Sequence, residues 1–333
     1  MLIVRRQAAT LVCIFLAAAW LASCAQPYHD PGEKYVFIAS DFKEPYWQEA
    51  RAGFMDAAKT LDVKVEVAGP DTLAANDELT ILQNAVMMHP TGILLTAADP
   101  ELFKSEIDNA IAQEIPVICI DVDVPDSRRL AFIGTDNFHV GNDLAKKTAE
   151  ILKGHGSIVV VGAQGRADID ERVRGVTESL KKFPGIGVIA TLDDKGDSRT
   201  ASDGIVAVLQ SKKKVDGIVA LEKSGNNGAV DALHRLNQDG QIPIIVFGKE
   251  IQTLQRIING TITASVGEKP YIMTYYGLKF LDDLHHHVVH ELSNLRIAPY
   301  PPMPTWVDAG TVVVDKNNAP VILGGVASHQ KPK

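Results

Sequence analysis

Short apolar segments rich in Val and Ile recur along the chain from Tyr35 onward, and longer segments of helical character separate them. The apolar segments are YVFIA, VKVEVA, GILLTA, PVICID, SIVVVG, IGVIAT, DGIVAL and IPIIVFG. Continuous apolar strands that alternate with helices are typical of parallel sheets covered by helices on both faces. The predicted fold class is therefore α/β.

An internal repeat indicates two such sheets. The segments TGILLTAADP and EIPVICIDVD, from Thr91 and Glu114, resemble the segments VDGIVALEKS and GQIPIIVFGKE, from Val215 and Gly240. A repeated strand–helix–strand unit favours two similar lobes over one large sheet, although chance similarity between Val- and Ile-rich strands is an alternative. With 333 residues, the chain is long enough to bury two cores.

Residues 1–23 have the pattern of an export signal. Arg5 and Arg6 precede the apolar run LVCIFLAAAWL, which is shorter than the roughly 20 residues of a membrane-spanning helix. The run ends in LASC, which resembles the lipobox of bacterial lipoproteins, so we expect Cys24 to carry lipid. A plain secretory signal and a retained helical anchor are the alternatives. Residues 24–34 are polar and lack periodicity, which predicts a tether.

Composition argues against several classes of protein. The net charge is −8, and no basic run extends beyond Lys212 to Lys214, so nucleic-acid binding is not expected. Outside the leader and Cys24, the only cysteine is Cys119, which lies in an apolar strand and indicates packing rather than a disulfide. No nucleophile, base and orienting group stand at a recognisable motif spacing. We therefore predict neither an enzyme nor a cofactor.

Polar segments follow the predicted strands, at the edge where open α/β sheets bind ligands. They include SDFKEPYW, AQGRADIDERVRG, LEKSGNN and GEKPY, and Asp121 follows PVICI. These segments supply carboxylates, cations and amides together with one aromatic pair, Tyr46 and Trp47. Sugar hydroxyls both donate and accept hydrogen bonds, and aromatic faces cover sugar C–H surfaces. The set favours a polyhydroxylated ligand between two lobes.

From about Tyr35 to about Leu323, the chain resembles the periplasmic sugar-binding proteins of the ribose and xylose type, whose body is shared with lac-type repressors. The motifs that carry the resemblance are SDFKEPYWQEARAGFMDAAK, IPVICIDVDVPDSRRLAFIGTDNFHVGNDLA, ERVRGVTESL, GAVDAL and VGEKPYIMTYYGLKFL. The resemblance implies the type 1 periplasmic-binding fold, in which two Rossmann-like lobes are joined by a three-crossing hinge. The expected N-terminal lobe comprises residues 35–135 and 269–298, and the C-terminal lobe comprises residues 136–268 and 299–333.

The resemblance also implies a set of ligand-binding residues. Aromatic residues that match Tyr46 and Trp47 stack on the sugar ring in relatives, although packing between the lobes is an alternative role. The residue that matches Asp121 accepts hydrogen bonds from hydroxyls, and the arginine that matches Arg172 donates them. Further expected positions are Lys43, Glu44, Thr96, Asp197, Glu222 and Glu268. By contrast, Asp136 in the GTDN motif is predicted to cap a helix or fix the hinge.

Two departures from the family pattern leave the identity of the sugar open. Gly248 follows the strand IPIIVF where relatives place an aspartate, and Val122 stands where the ribose type has an arginine. Glu222 and Glu268 replace neutral groups, and buried carboxylates require a cation. That cation would be Lys43, Lys223, Arg172 or a positive group on the ligand, so an amino sugar or modified polyol is conceivable.

The expected function is that of a lipid-anchored, monomeric binding protein of the periplasm or cell surface. It would close about its hinge on a monosaccharide or polyol and present the closed form to an ABC transporter permease. A sensor that presents the closed form to a signalling receptor is one alternative, and an exported sugar-acting enzyme is a less favoured one.

The run DDLHHHVVHEL raises the question of a metal site. His286 and His290 stand one helical turn apart, a spacing that can hold a metal ion. Because no third ligand is evident in the sequence, a solvated helix face is the favoured interpretation, and no metal is predicted.

Overall fold

The computed structural model describes residues 28–211, 213–287 and 303–329, with side chains up to Gly325. The strands of these residues are β1 (Lys34–Ile38), β2 (Lys64–Ala68), β3 (Gly92–Leu95), β4 (Val117–Ile120), β5 (Ala131–Gly134), β6 (Gly156–Gly162), β7 (Ile186–Asp193), β8 (Gly217–Ala220), β9 (Ile244–Phe247), β10 (Ala264–Gly267), β11 (Trp306–Asp308) and β12 (Val312–Asp315). The helices are α1 (Pro45–Leu61), α2 (Ala75–Met87), α3 (Pro100–Ala112), α4 (Asn137–Ile151), α5 (Ala167–Leu180), α6 (Ser198–Gln210), α7 (Lys223–Arg235), α8 (Ile251–Asn259), α9 (Pro270–His286) and α10 (Ala319–His329).

The strands form two separate six-stranded sheets, one in each lobe. Their orders are β11-β5-β4-β3-β1-β2 and β12-β10-β9-β8-β6-β7. All pairs in the first sheet are parallel, and the second sheet is parallel except for its edge strand β12, which runs antiparallel to β10. The predicted α/β class with two parallel-sheet lobes is confirmed.

The apolar strands are buried because helices cover both faces of each sheet. Every residue of β3, β4, β5, β8, β9 and β10 is buried. In the first sheet, α2 and α3 pack on one side and α1 and α9 on the other. In the second sheet, α6, α7 and α8 cover one side, and α4 and α5 cover the other. This two-sided burial explains why the strand sequences show no polar alternation.

The chain passes between the lobes three times. It leaves β5 at Gly134 and enters α4, which packs in the second lobe, and it returns from β10 through Glu268 and Lys269 into α9 of the first lobe. The third passage runs through residues 309–311, between β11 and β12. The three-crossing hinge that the resemblance implied is therefore present.

One part of the expected lobe division differs in the structure. Residues 299–333 were expected in the C-terminal lobe, but β11 pairs with β5 of the first sheet, with Trp306 opposite Phe132. Only the segment from β12 onward joins the second sheet. The strand WVD is too short for its apolar pattern to predict which sheet it joins. Its position depends on pairing with β5, which is distant in sequence.

The internal repeat is visible in the backbone. Asp121 follows β4 with a φ of 63°, and Gly248 follows β9 with a φ of 107°. Asp121 N–H donates to Ile133 O at 3.1 Å, and Gly248 N–H donates to Val266 O at 2.9 Å, in each case to the neighbouring strand. A positive φ at the end of a strand turns the chain sharply, here toward the space between the lobes. The two positions are equivalent in the two lobes, as the repeat predicts.

The close approach of α4 and α5 fixes the second-lobe wall near the hinge. A Cβ atom at Gly141 would lie 2.2 Å from Arg172 O, and a Cβ atom at Gly175 would lie 2.1 Å from Phe138 O. Glycine at both positions therefore allows the helix backbones to touch. This contact places Arg172 beside the first residues of α4.

Asp136 caps α4 as predicted from the GTDN motif. Its Oδ1 accepts from His139 N–H at 3.0 Å, and its own N–H donates to Asp308 Oδ1 at 3.3 Å. His139 Nδ1 also lies 3.1 Å from Asp308 Oδ2, and this contact raises the pKa of His139. Two of the three crossings are therefore tied together by hydrogen bonds.

Among the described residues, no helix combines the length and hydropathy needed to cross a lipid bilayer.

A buried carboxylate lies under the loop that follows β3. Glu78 of α2 is fully buried, and its Oε2 accepts from Ala98 N–H at 3.3 Å. Its Oε1 has no hydrogen-bond partner in the described part of the chain. Burial raises the pKa of Glu78 to about 8, and the Ala98 hydrogen bond opposes this shift only in part. A folded-state pKa above the unfolded value means that the folded protein binds the proton more tightly, so stability falls as pH rises from about 4.5 toward 8.

We predict that Glu78→Gln makes the protein's stability less dependent on pH. Between pH 6 and pH 8, the variant should lose about 2 kcal/mol less unfolding free energy than the wild type, because each pKa unit corresponds to about 1.4 kcal/mol. Urea denaturation followed by circular dichroism at both pH values measures the difference. Glu101→Gln, at an exposed position in the first turn of α3, is the control and should behave as the wild type. Equal pH dependence in Glu78→Gln and wild type would contradict the assignment.

Candidate functional site

A cavity of about 920 Å³ lies between the lobes, at the carboxyl ends of both sheets. From the first lobe and the hinge it is lined by residues that follow β4 and β5, and from the second lobe by residues that follow β6, β8, β9 and β10. A smaller adjoining cavity of about 80 Å³ lies between the start of α1 and residues 247–251. Phe247, Glu250 and Glu268 line both cavities, which therefore form one cleft.

Two acidic side chains and a tyrosine meet in this cleft. Tyr46 Oη donates to Asp121 Oδ1 at 2.5 Å, so the tyrosine at the start of α1 holds the carboxylate at the end of β4. Burial raises the pKa of Asp121, while the Tyr46 hydrogen bond and the charge of Arg172 act in the opposite direction. Burial, and then the negative charge of Asp121, raise the pKa of Glu268 to about 8. Glu268 therefore keeps its proton to a higher pH than an ordinary glutamate, and in its protonated form the carboxyl group both donates and accepts.

Arg172 is the buried cation of the cleft. It is 6% exposed, its Nε donates to Asn137 Oδ1 at 2.8 Å, and its Nη1 donates to Leu221 O at 2.7 Å. Its guanidinium lies over the Phe247 ring, 3.7 Å from the centroid. Burial lowers the pKa of Arg172. The hydrogen bonds and the aromatic face fix the plane of the guanidinium, while Nη2 reaches only Asp168, at 3.8 Å.

The negative charge of Glu222 is paired with Arg166, which was not among the cations predicted to meet it. Its Oε1 accepts from Ala163 N–H at 2.8 Å, and its Oε2 accepts from Arg166 Nη1 at 2.7 Å. Arg166 also donates to Asp168 at 2.8 Å. The charge of Glu222 is therefore met by Arg166, which lies in the loop after β6, rather than by Lys43 or Arg172.

Six of the ten expected ligand-binding residues line the cleft. They are Glu44, Tyr46, Asp121, Arg172, Glu222 and Glu268. Glu44 occupies the N-cap position of α1 without a capping hydrogen bond from its side chain, and Pro45 takes the first helical position, where its missing N–H leaves no donor unsatisfied. Their convergence follows from the topology, since all of them except Arg172 lie directly after a strand, at the start of a helix or on a crossing. Arg172 lies in the second turn of α5 and reaches the cleft because α5 packs closely on α4.

Trp47 does not lie in the cleft. It is 7% exposed and packs in the core of the first lobe, with its ring centroid 6.4 Å from that of Phe37 and 4.8 Å from that of Tyr46. Neighbouring residues at a helix start point in directions about 100° apart, so Tyr46 and Trp47 cannot share one face. The expectation that both rings stack on a ligand is therefore not supported for Trp47, and its placement corresponds to packing.

Three other expected residues are also absent from the cavity lining. Lys43 is exposed, and its Nζ pairs with Asp71 at 2.6 Å. Thr96 is fully buried behind the end of β3, where its Oγ1 has no hydrogen-bond partner among the residues that the structure describes. Asp197 caps α6 by accepting from Thr200 N–H at 2.7 Å, and this bond lowers its pKa. Helix capping and ion pairing use the same residue types as ligand binding, so sequence alone did not separate them.

Several cleft residues were not identified from the sequence. The additional lining residues include Asn137, Phe138, Arg166, Phe247 and Trp306. Phe247 ends β9, so its place at a carboxyl end was an available signal. Trp306 carried no such signal, because β11 was assigned to the other lobe.

The family resemblance implied an aspartate at position 248, and the backbone conformation there explains why this chain has glycine. A Cβ atom there would lie 2.8 Å from both carboxylate oxygens of Glu250, and the φ of 107° disfavours any side chain. Glu250 therefore brings a carboxylate to this position from two residues farther along the chain.

The lobes also touch directly across the cleft. Lys249 of the second lobe donates to Glu49 of α1, and both side chains are largely buried. In addition, α10 packs on α8 and contacts α1. The ion pair and the helix contacts therefore join the two lobes directly.

The comparisons with known proteins place this architecture in a family. The family model described as "Periplasmic binding protein domain" matches residues 35–286. The chain belongs to the periplasmic binding protein family. Its relatives include a D-allose-binding periplasmic protein from Escherichia coli, 24% identical over 75% of this chain and 84% of that protein.

Solved structures of this periplasmic binding protein family resemble the chain over most of its length. AraP, an arabinose-binding protein from Geobacillus stearothermophilus, is 31% identical with a TM-score of 0.80, over 87% of this chain and 99% of AraP. The sugar-binding protein of a sugar ABC transporter from Bacillus halodurans is 33% identical with a TM-score of 0.79, over 87% of this chain and 99% of that chain. A mutant XylFII–LytSN complex contains a chain that is 25% identical with a TM-score of 0.73, over 86% of this chain and 99% of that one.

Proposed function

We propose that this protein captures a monosaccharide or a related polyol in the cleft between its lobes and does no chemistry on it. The observation that carries the proposal is the convergence of fixed donors and acceptors on one interlobe cavity. Arg172 donates, the Asp121 carboxylate accepts, and protonated Glu268 does both. A polyol is the ligand class that uses all three kinds of group at once.

Aromatic side chains supply the apolar part of the proposed recognition. Tyr46 approaches from the first lobe, Phe247 lies at the end of β9, and Trp306 is 43% exposed at the cavity wall. Sugar rings present C–H groups on their faces and hydroxyls at their edges, so aromatic faces and polar groups can act together. The volume of about 920 Å³ lies within the range of small-molecule sites.

Closure of the lobes would convert ligand capture into a signal for a partner. A ligand that contacts Asp121 in the first lobe and Arg172 in the second binds the closed form more tightly than the open form. The Lys249–Glu49 ion pair, which also joins the lobes, would lower the cost of closing. The partner would recognise the surface that only the closed form presents.

We propose that the partner is the permease of an ABC importer, in keeping with the ABC-transporter binding protein from Bacillus halodurans. A second candidate is a signalling receptor, since the XylFII chain is found in a complex with LytSN. Both candidates use the same ligand and the same closure, and they differ only in the surface that meets the partner.

The protein would act outside the cytoplasm, in the periplasm or at the cell surface, anchored by lipid on Cys24. The support is the leader pattern of residues 1–23 and the LASC sequence. The leader and Cys24 lie outside the described residues, whereas the family is one of periplasmic proteins.

A sugar screen tests the binding proposal. In a thermal-shift screen of pentoses, hexoses, polyols and amino sugars, at least one sugar should raise the melting temperature, because a ligand that binds only the folded state stabilises it. Asp121→Asn should then weaken binding of that sugar by about 10- to 150-fold in calorimetric titration. This loss corresponds to the free energy of one hydrogen bond to a charged group, about 1.5–3 kcal/mol. Asp126→Asn, exposed in the same loop, is the matched control.

The binding proposal fails if no sugar shifts the melting temperature, or if Asp121→Asn binds the sugar as tightly as Asp126→Asn. It also fails if the purified protein converts the sugar into a product, since that outcome identifies an enzyme.

For the anchor, we expect the mature protein to begin at Cys24, to carry acyl chains and to sediment with membranes. Cys24→Ser should prevent lipid attachment, so the protein should leave the lipidated membrane fraction. Mass spectrometry of the N-terminal peptide and fractionation measure both effects. A mature N-terminus other than residue 24 would refute the anchor without affecting the sugar site.

A deletion strain distinguishes importer from sensor. If the protein serves an importer, cells that lack it should lose uptake of the radiolabelled sugar at low concentration. If it serves a receptor, uptake by pre-induced cells should persist, and the transcriptional response to the sugar should disappear. Complementation with the wild-type gene controls for effects on neighbouring genes.

A further inference from the structure

Four side chains with metal-ligand chemistry meet at the far end of α9 from the hinge. His29 and Glu33 come from the segment that precedes β1, and Asp282 and His286 stand one turn apart on α9. One ligand atom from each of the four lies within 4.8 Å of all the others. The cluster is separate from the cleft, because α9 starts at the hinge and runs about 25 Å to its end.

The placement of His286 differs from the sequence expectation of a solvated helix face. Its side chain is only 13% exposed, and its ring stacks on Tyr28 with 4.2 Å between centroids. His290, the other histidine of the predicted pair, lies outside the described residues. His29 and Glu33 were not predicted as ligands because both lie in residues 24–34, which were predicted to be a tether.

The two carboxylates of the cluster are buried, and the surrounding protein satisfies them only in part. Glu33 Oε1 accepts from Asp30 N–H at 2.5 Å, and Asp282 Oδ1 contacts His29 Nε2 at 3.1 Å. Glu33 is 5% exposed and Asp282 is 4% exposed. Glu33 Oε2 and His286 Nε2 are both buried and have no hydrogen-bond partner among the described residues. A buried carboxylate oxygen and a buried imidazole nitrogen that both lack hydrogen-bond partners favour a cation between them.

Two of the separations between these ligand atoms match the edge of a tetrahedral metal site, and the others lie within 4.8 Å. His286 Nε2 lies 3.4 Å from Glu33 Oε2 and 3.6 Å from Asp282 Oδ1, and His29 Nε2 lies 3.1 Å from Asp282 Oδ1. Ligands at about 2.1 Å from a tetrahedral ion stand roughly 3.4 Å from one another. The separations of 3.4 and 3.6 Å are too long for good hydrogen bonds, but they are suitable for two ligands of one ion.

We propose that His29, Glu33, Asp282 and His286 bind one divalent transition-metal ion of the Zn²⁺ class. Two imidazoles and two carboxylates suit such an ion, whereas Ca²⁺ and Mg²⁺ require oxygen ligands alone. Tyr35 Oη donates to Asp282 Oδ1 at 3.2 Å and so orients that carboxylate. The ion would fasten the segment before β1 to the first lobe.

Metal titration of the mature, detergent-extracted protein tests the proposal. After treatment with a chelator, the protein should bind one equivalent of Zn²⁺ in calorimetry, with a rise in melting temperature that MgCl₂ does not produce. His286→Ala and Glu33→Gln should each weaken Zn²⁺ affinity by more than about 100-fold, since loss of even an outer partner costs about 10- to 100-fold. Co²⁺ should give the visible absorption of a tetrahedral site in the wild type.

The matched control is His287→Ala, because His287 is exposed on the same helix end and pairs with Asp283. This control should bind Zn²⁺ as the wild type does. Circular dichroism shows whether each variant is folded, and Glu33→Gln preserves the shape of the buried side chain if His286→Ala fails to fold. Absence of Zn²⁺ binding by the wild type, or equal weakening in His287→Ala, would overturn the proposal and leave an internal ion pair between histidine and carboxylate.

Discussion

Two mainly parallel sheets face each other across three short crossings, and the rest of the structure depends on this arrangement. Parallel strands place their carboxyl ends at one edge, and the crossings make the edges of both sheets face the same cleft. Each side chain that follows a strand is therefore brought toward its counterpart in the other lobe. The turns at Asp121 and Gly248, both with positive φ, are the clearest sign of this arrangement.

The cleft brings acidic side chains together and raises the pKa of two of them, Asp121 and Glu268. The negative charge of Asp121 raises the pKa of Glu268, and Arg172 compensates both carboxylates only in part. The raised pKa of Glu268 extends the pH dependence of the cleft's charge above the usual range of a glutamate. Because Tyr46 already donates to Asp121, an incoming hydroxyl would add to an existing hydrogen-bond network rather than create one.

The sequence predicted the fold more completely than the site, for a physical reason. Strand and helix alternation is repeated many times, so errors in single elements do not change the class. The range 299–333 was assigned to the C-terminal lobe, whereas its residues 306–308 form β11 of the first sheet. A site residue has no such redundancy. Asp197 and Asp121 both follow strands, yet one caps a helix and the other faces the cavity, and only three-dimensional packing decides between these roles.

The contacts of the N-terminal segment determine which lobe would move relative to a lipid anchor. His29 and Glu33 meet α9, and the Lys64 side chain at the start of β2 donates to Pro31 O. All of these partners belong to the first lobe. If Cys24 is anchored, the first lobe is held near the membrane by this segment, and hinge closure moves the second lobe. A metal ion at the end of α9 would strengthen that asymmetry without touching the sugar, because it fixes the tether and not the hinge.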